Sequence, residues 1–314
     1  SDLALSTHQA TYEMREELLE FQRDFHKNSL DRASRDKRRG YVFGDKHDPA
    51  RVNHFLDILN VHQIEVHELA KSTTIDGQTY EPGSAYVVPT DQPHYNMVRI
   101  FFETFTEFED SLFYDISTWT LPMAFNIPYA GISDRSLVGD ELSEVPMPKT
   151  STNRRASYAY LLRWDDYYAP AAANHLMANG LRAKVAEFPL TVDGVEYPQG
   201  TVMIPVVQGQ TKSPDEVHEL VREASSTYNV EFVPVSTGLT PQGIDLGSRS
   251  FALLQKPEVL LLVGDGVSSY DIGEAWHLLD QRYNIEVTKG EARDLARMDL
   301  KRYNVIVMAD GSYY

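Results

Sequence analysis

The sequence predicts an α/β fold of duplicated, parallel-rich sheets with flanking helices. Three observations carry that expectation. One stretch occurs twice, as Ile75-Asp76-Gly77-Gln78-Thr79-Tyr80-Glu81-Pro82-Gly83-Ser84-Ala85-Tyr86-Val87-Val88-Pro89 and as Val192-Asp193-Gly194-Val195-Glu196-Tyr197-Pro198-Gln199-Gly200-Thr201-Val202-Met203-Ile204-Pro205. Each copy reads as an Asp-Gly turn, a Tyr, a second turn carrying Pro and Gly, and an apolar strand ending in Pro. Asp-Gly between β-prone residues is a hairpin signal, because Gly accepts positive φ without steric cost, and a pattern recurring at long range signals an internal repeat. Around the copies the order runs strand, helix, strand, hairpin, strand, helix, strand, the order of a sheet covered by helices. Finally, Val259-Leu260-Leu261-Leu262-Val263 is unbroken apolar sequence, the composition of a strand buried on both faces.

The elements follow in chain order. Met14, Leu18, Phe21 and Phe25 recur at helical spacing among Glu, Arg and Gln, predicting a helix within residues 10–38. The basic run 32–39 reads as a solvated linker. Tyr41 to Gly44 is a short strand, and Asp48-Pro49 caps the helix after it. Residues 64–69 alternate as a half-buried strand. After the first hairpin, residues 92–108 form a helix with Val98, Phe101, Phe102 and Phe105 on one face. The second repeat has a strand over 158–162, a helix from Ala169-Pro170 to the stop at Asn179-Gly180, a strand over 183–188, the hairpin, a helix opened by Ser213-Pro214, and a strand over 230–235. A third unit has strands at 259–263, 284–288 and 303–308 and a helix over 269–282. It holds the first half of a doubly wound domain and reads as incomplete. Long connections lie at 109–149 and 238–257, lengths that suit functional or interface-forming segments.

Composition narrows the function classes. Of the 314 residues 42% are hydrophobic and 24% charged, a globular balance. The net charge of −17 argues against a nucleic-acid partner and against an anionic membrane face. No apolar run approaches the roughly 20 residues of a membrane span. The absence of cysteine excludes disulfides, thiolate nucleophiles and cysteine metal sites.

Each chemical candidate meets a physical objection. His62 and Glu65 have the spacing H-x-x-E, with His67 and His175 downstream, but side chains three apart on a strand point to opposite faces. His54, His175 and His277 each fall in the helix after the first strand of their unit, which suggests a helix-to-sheet contact. Gly264-Asp265-Gly266-Val267-Ser268-Ser269 follows a strand and opens a helix, a setting that can hold an anion. It lacks the third glycine of G-x-G-x-x-G and a clear acidic partner for a ribose. No G-x-S-x-G elbow is present, and Asp310-Gly311-Ser312 has no helix after it. Asp165-Asp166 and Glu107, Glu109 and Asp110 read as exposed faces or caps. The aromatic cluster around Trp119, with Phe113, Tyr114, Pro122, Phe125, Pro128 and Tyr129, suits packing or a ligand groove. No catalytic, cofactor-binding or metal-binding residue is assigned.

Several runs resemble a known family. Residues 105–115, Phe-Thr-Glu-Phe-Glu-Asp-Ser-Leu-Phe-Tyr-Asp, with Ser117-Thr118-Trp119-Thr120-Leu121-Pro122, are similar to the region downstream of the catalytic domain in large bacterial zinc carboxypeptidases. So are Ala85 to Pro93 and Gly243-Ile244-Asp245-Leu246-Gly247-Ser248. The resemblance implies an exported parent enzyme whose zinc, ligands and general base sit in an earlier domain, upstream of Ser1. The expected units are Rossmann- or flavodoxin-like and amidotransferase-like, and the third, incomplete one lacks the Cys nucleophile of active amidotransferases. The expected organisation is a helix and linker over 1–39, a first α/β unit with its crossover over 40–150, its duplicate over 151–256, and the start of a third unit over 257–314. The expected role is a non-catalytic accessory segment that carries no cofactor. Its expected partner is its own upstream catalytic domain, with a peptide or a homo-oligomer as further partners. A ligand-binding module for peptide or cell-wall fragments, and an independent amidotransferase-like enzyme, are the alternatives.

Overall fold

The computed structural model describes residues 2–104, 120–146 and 150–313. The chain forms two compact units, residues 1–147 and 148–314.

The first unit opens with α1 (Asp2–Glu13) and α2 (Arg15–Arg35). Met14, at φ −94° and ψ 13°, separates them, flanked by hydrogen bonds from Met14 N to Ala10 O and from Leu18 N to Met14 O, both 2.9 Å. Running to Arg35, α2 includes residues 32–35 of the expected linker. Ser29 and Ala33 are buried, and Arg38 donates to the Tyr41 hydroxyl at 2.7 Å, so this basic run is partly structural. Next come β1 (Gly40–Gly44), α3 (Pro49–Val61), β2 (His67–Leu69), the hairpin β3 (Thr73–Ile75) and β4 (Gln78–Tyr80), β5 (Ala85–Pro89) and α4 (Tyr95–Phe102). Asp48 caps α3 by accepting from Arg51 N at 2.9 Å, with Pro49 in the first turn. A four-residue helix, α5 (Leu121–Ala124), precedes β6 (Tyr129–Ile132) and β7 (Val138–Glu141).

The second unit repeats the scheme with β8 (Ala159–Leu162), α6 (Ala169–Ala178), β9 (Lys184–Ala186), the hairpin β10 (Leu190–Val192) and β11 (Val195–Tyr197), β12 (Val202–Pro205), α7 (Pro214–Tyr228) and β13 (Phe232–Val235). Ser213 and Glu216 form a reciprocal capping box on α7. The short β14 (Gln242–Gly243) joins β10, and β15 (Phe251–Leu253) joins β9. The third set is β16 (Val259–Val263), α8 (Ser269–Trp276), β17 (Val287–Glu291) and β18 (Val305–Val307). A π-helical turn, His277–Arg282, extends α8.

Strand order shows the duplication and corrects the expected strand direction. The first sheet is β6-β1-β5-β2-β7 and the second is β13-β8-β12-β9-β15. They correspond strand for strand, and every pairing in both is antiparallel. The strand after each hairpin inserts between the two strands joined by the first helix. Those two run in the same direction but never pair. The parallel-rich expectation holds only for the third sheet, β17-β16-β18, where both pairings are parallel. The long connections supply edge strands: β6 and β7 in the first sheet, β15 in the second.

Each repeated sheet has two covered faces. Tyr41, Phe43, Tyr86 and Val88 point toward α3 and α4, packing with Phe55, Leu59, Val98 and Phe102. Val42, Ala85 and Val87 point the other way, onto Leu69, Tyr80, Ile132 and Leu137. In the second sheet Tyr160, Leu162, Val202 and Ile204 meet α6 and α7, and Ala159, Leu161 and Met203 meet Leu190, Val192 and Tyr197 of the hairpin. This arrangement needs apolar residues at consecutive positions, so β1, β5, β8 and β12 are buried throughout.

Candidate functional site

The repeated stretch has one geometry in both copies. Asp76 and Gly77 have φ of 50° and 82°, and Asp193 and Gly194 have 50° and 79°. These are the paired positive φ values of a type I′ hairpin turn. The next turn closes through Ser84 N to Glu81 O and Thr201 N to Pro198 O, both 3.2 Å. Gly83 and Gly200 occupy the positive-φ position at 84° and 92°. The Ser84 hydroxyl donates to Glu81 O at 3.2 Å and the Thr201 hydroxyl to Pro198 O at 2.7 Å. Ser84 therefore tightens a turn, although it lies in a cleft of about 300 Å³ that Asp45 and His47 also line.

Two glutamines outside the repeated stretch make a further pair. Gln92 accepts from Glu65 N at 2.9 Å and donates to Glu65 O at 3.2 Å and Pro89 O at 2.8 Å. Gln210 accepts from Arg182 N at 2.8 Å and donates to Arg182 O and Pro205 O, both at 2.9 Å. Each amide ties the backbone before β2 or β9 to the end of β5 or β12. The signal in the sequence is slight, a Gln shortly after each terminal Pro but at different offsets. Tyr41 and Tyr160 are a third pair, since their register partners are Val88 and Ile204. Tyr41 stacks on Phe102 at 4.8 Å. Tyr160 stacks on His218, with 2.7 Å between its hydroxyl and Nδ1.

The histidines do not converge. His62 caps the end of α3 and its ring meets Phe101 edge-on at 5.5 Å. His67 lies on β2 with Nδ1 3.0 Å from Gly139 O. His175 is on α6, in edge contact with Tyr228 and 3.9 Å from Glu223. The residues around His62 and Glu65 thus do not fit a zinc ion. Among the described residues no three His, Asp or Glu side chains group as a metal site would require. The expected threefold histidine role also needs correction. His54 and His175 are half-buried on α3 and α6, whereas His277 is exposed where the π-helical turn begins, and the His175 ring meets Tyr228 of α7.

Two amides of the glycine-rich turn after β16 are bonded to backbone carbonyls. Val267 N donates to Gly264 O at 3.2 Å and Ser268 N to Asp310 O at 2.9 Å. Ser312 N donates to Gly266 O at 2.8 Å. A Cβ on Gly266 would lie 2.5 Å from Ser312 O, so glycine here serves the approach of two backbones. Asp165 pairs with Arg163 at 2.6 Å, and Asp166 accepts from Tyr168 N at 3.0 Å as α6 begins. Phe125 packs on Phe55 at 5.7 Å and Tyr129 on Phe102 at 6.3 Å. Glu107, Glu109, Asp110, Phe113, Tyr114 and Trp119 lie outside the described residues.

The largest apolar exposure is on α1 and α2. Leu3, Leu5, Tyr12, Met14, Leu18, Leu19, Phe21, Phe25 and Leu30 are all exposed, Phe21 by 71%. The second half of α2 is held to the sheet domain: the His26 ring meets His94 at 5.9 Å, Asn96 donates to the Ser29 hydroxyl at 2.8 Å, and the residue after the helix is tied as well. There Asp36 accepts from the Tyr95 hydroxyl at 2.9 Å and from Arg99 at 2.8 Å, and Arg99 also pairs with Glu103. Burial opposes ionisation of Asp36. The Arg38 amide, the Tyr95 hydroxyl and the Arg99 charge outweigh it and hold the carboxyl below its ordinary range. Among the described residues no helix is long and apolar enough to cross a membrane. No protein-family model matches this chain, no curated protein matches it in sequence, and no solved structure matches it.

Proposed function

We propose that this chain is a non-catalytic, architectural segment of an exported bacterial zinc carboxypeptidase, whose metal chemistry belongs to a separate catalytic domain. The apolar surface of α1 and α2 carries the reading. Leu3, Met14, Leu18, Phe21 and Phe25 fall on one side at 100° per residue and mark an interaction surface, since a contiguous exposed apolar face is uncommon unless something covers it. Two described stretches that carry the family resemblance support the same role. Residues 85–89 form the central strand β5. Within 243–248, Leu246 is fully buried and its N–H donates to Gly238 O at 2.9 Å, while Asp245 accepts from Thr240 N at 2.9 Å. These residues build and brace the fold.

The test compares the parent enzyme with a form lacking this segment, and assays the segment alone. The expected outcome is no chelator-sensitive carboxypeptidase turnover by the segment. The truncated parent should lose thermal stability or solubility while its zinc content per molecule is unchanged. Metal-dependent turnover by the segment itself would overturn the reading.

A further inference from the structure

We propose that α1 and the first half of α2 are a self-association surface, on which a second copy of the chain pairs antiparallel. This deepens the architectural reading above and rests on it. Ala4, Thr7, Thr11, Met14, Leu18 and Phe21 recur at alternating steps of three and four, the spacing of a coiled-coil seam. All six are exposed. The Thr7 hydroxyl donates to Leu3 O at 2.9 Å and the Thr11 hydroxyl to Thr7 O at 2.8 Å, so their polar groups are satisfied within the helix and their methyl groups can be buried. At 100° per residue, Glu13, Glu16 and Glu20 fall on the other side of the helix, with Leu5, Tyr12 and Leu19 between them and the seam, and these six would stay outside the pairing.

The seam has a gradient of size that selects the occupant. Its first three residues are small and its last three are large. A parallel copy would set Thr on Thr and Phe on Phe, leaving a gap at one end and crowding at the other. An antiparallel copy sets Ala4 against Phe21, Thr7 against Leu18, and Thr11 against Met14 of the second copy, so small meets large at every layer. The area also suffices. About 22 residues give a helix of roughly 33 Å, and half the circumference of a helix about 10 Å wide covers on the order of 500 Å² per copy. The total of about 1,000 Å² reaches the lower limit for a specific interface. With a net charge of −17 on each copy, long-range repulsion opposes the pairing and salt should strengthen it.

Sedimentation equilibrium on the full chain tests this, at up to about 200 μM and at low and high salt. The expected result is a monomer–dimer equilibrium that tightens with salt and weakens about tenfold or more in Phe21→Glu. Circular dichroism should show the fold of that exposed-site variant retained. The chain has no cysteine, so single introduced thiols report the orientation cleanly. Mixed Thr7→Cys and Leu18→Cys chains should cross-link to each other through a short bismaleimide, and neither to itself. A chain that is monomeric under all conditions, a dimer unaffected by Phe21→Glu, or Thr7→Cys linked to Thr7→Cys would each overturn the pairing. The parent-truncation result is independent. A monomer combined with a destabilised truncated parent refutes the pairing and leaves the architectural reading standing. A dimer combined with an unaffected truncated parent does the reverse.

Discussion

At the scale of the residue, the two glutamine ties differ in burial. Gln92 is 1% exposed, whereas Gln210 is half-buried. Gln92→Ala would remove the buried bond to Pro89 O as well as the two to Glu65, which costs about 2 kcal/mol; Gln210→Ala should cost about 1 kcal/mol, because water can replace the lost amide. Urea unfolding of the two variants checks the order. Tyr80 gives a second prediction. Burial beneath the first hairpin, reinforced by Asp76, pushes its hydroxyl up to about 12. In the unfolded chain Tyr ionises near pH 10. The folded state thus keeps a proton that the unfolded state loses between about pH 10 and 12, and stability falls with rising pH by up to about 1.4 kcal/mol per unit across that window. Tyr80→Phe should remove this part of the alkaline destabilisation, as read from unfolding midpoints against pH. Both tyrosines of the repeated stretch were visible in the sequence, because their place in the pattern is fixed. The glutamines were not, because they lie outside it at unequal offsets and act only on backbone brought close by folding.

At the scale of the element, Gly83 and Gly200 test the hairpin turns. A Cβ on Gly83 would meet nothing within 4 Å, so Gly83→Ala should cost only the strain of positive φ, about 1 kcal/mol. On Gly200 a Cβ would lie 3.6 Å from Trp164 Cβ, an ordinary contact, and the same cost should apply. Thermal denaturation of both variants checks this, and a similar loss in the two is the expected outcome. Gly266→Ala should cost more, because its Cβ would fall 2.5 Å from the Ser312 carbonyl. Caps and turns were the most legible elements. Asp48, Ser213 with Glu216, and the Asp-Gly pairs act through neighbours in sequence, and each has the expected geometry. Strand limits were less legible, since the strand expected over 284–288 lies at Val287–Glu291. Asn284, at φ 51°, and the π-helical turn before it delay the strand, and neither feature has a strong local signature.

At the scale of the whole molecule, two five-stranded sheets of the same order are each covered by helices on one face and a hairpin on the other. The expectation of parallel pairing failed for a definite reason. A strand covered on both faces is apolar at successive positions whether its neighbours run with it or against it. Helices alternating with such strands suggested parallel sheets, but the strand after each hairpin enters the middle of its sheet and reverses every pairing. The exposed face of α1 and α2 is a similar case. Periodicity placed Met14, Leu18, Phe21 and Phe25 together, whereas a helical stripe reads alike whether it packs on its own domain or on something else.

By itself the sequence determined the duplication, the hairpin turns, the helix caps and the apolar runs of the core, because each rests on interactions between residues close along the chain. Tertiary structure alone decided strand order and direction, the scattering of the histidines, the bond from the Ser268 amide to Asp310, and the exposure of the first two helices. Those depend on which distant segments meet, and local chemistry is the same for several such meetings.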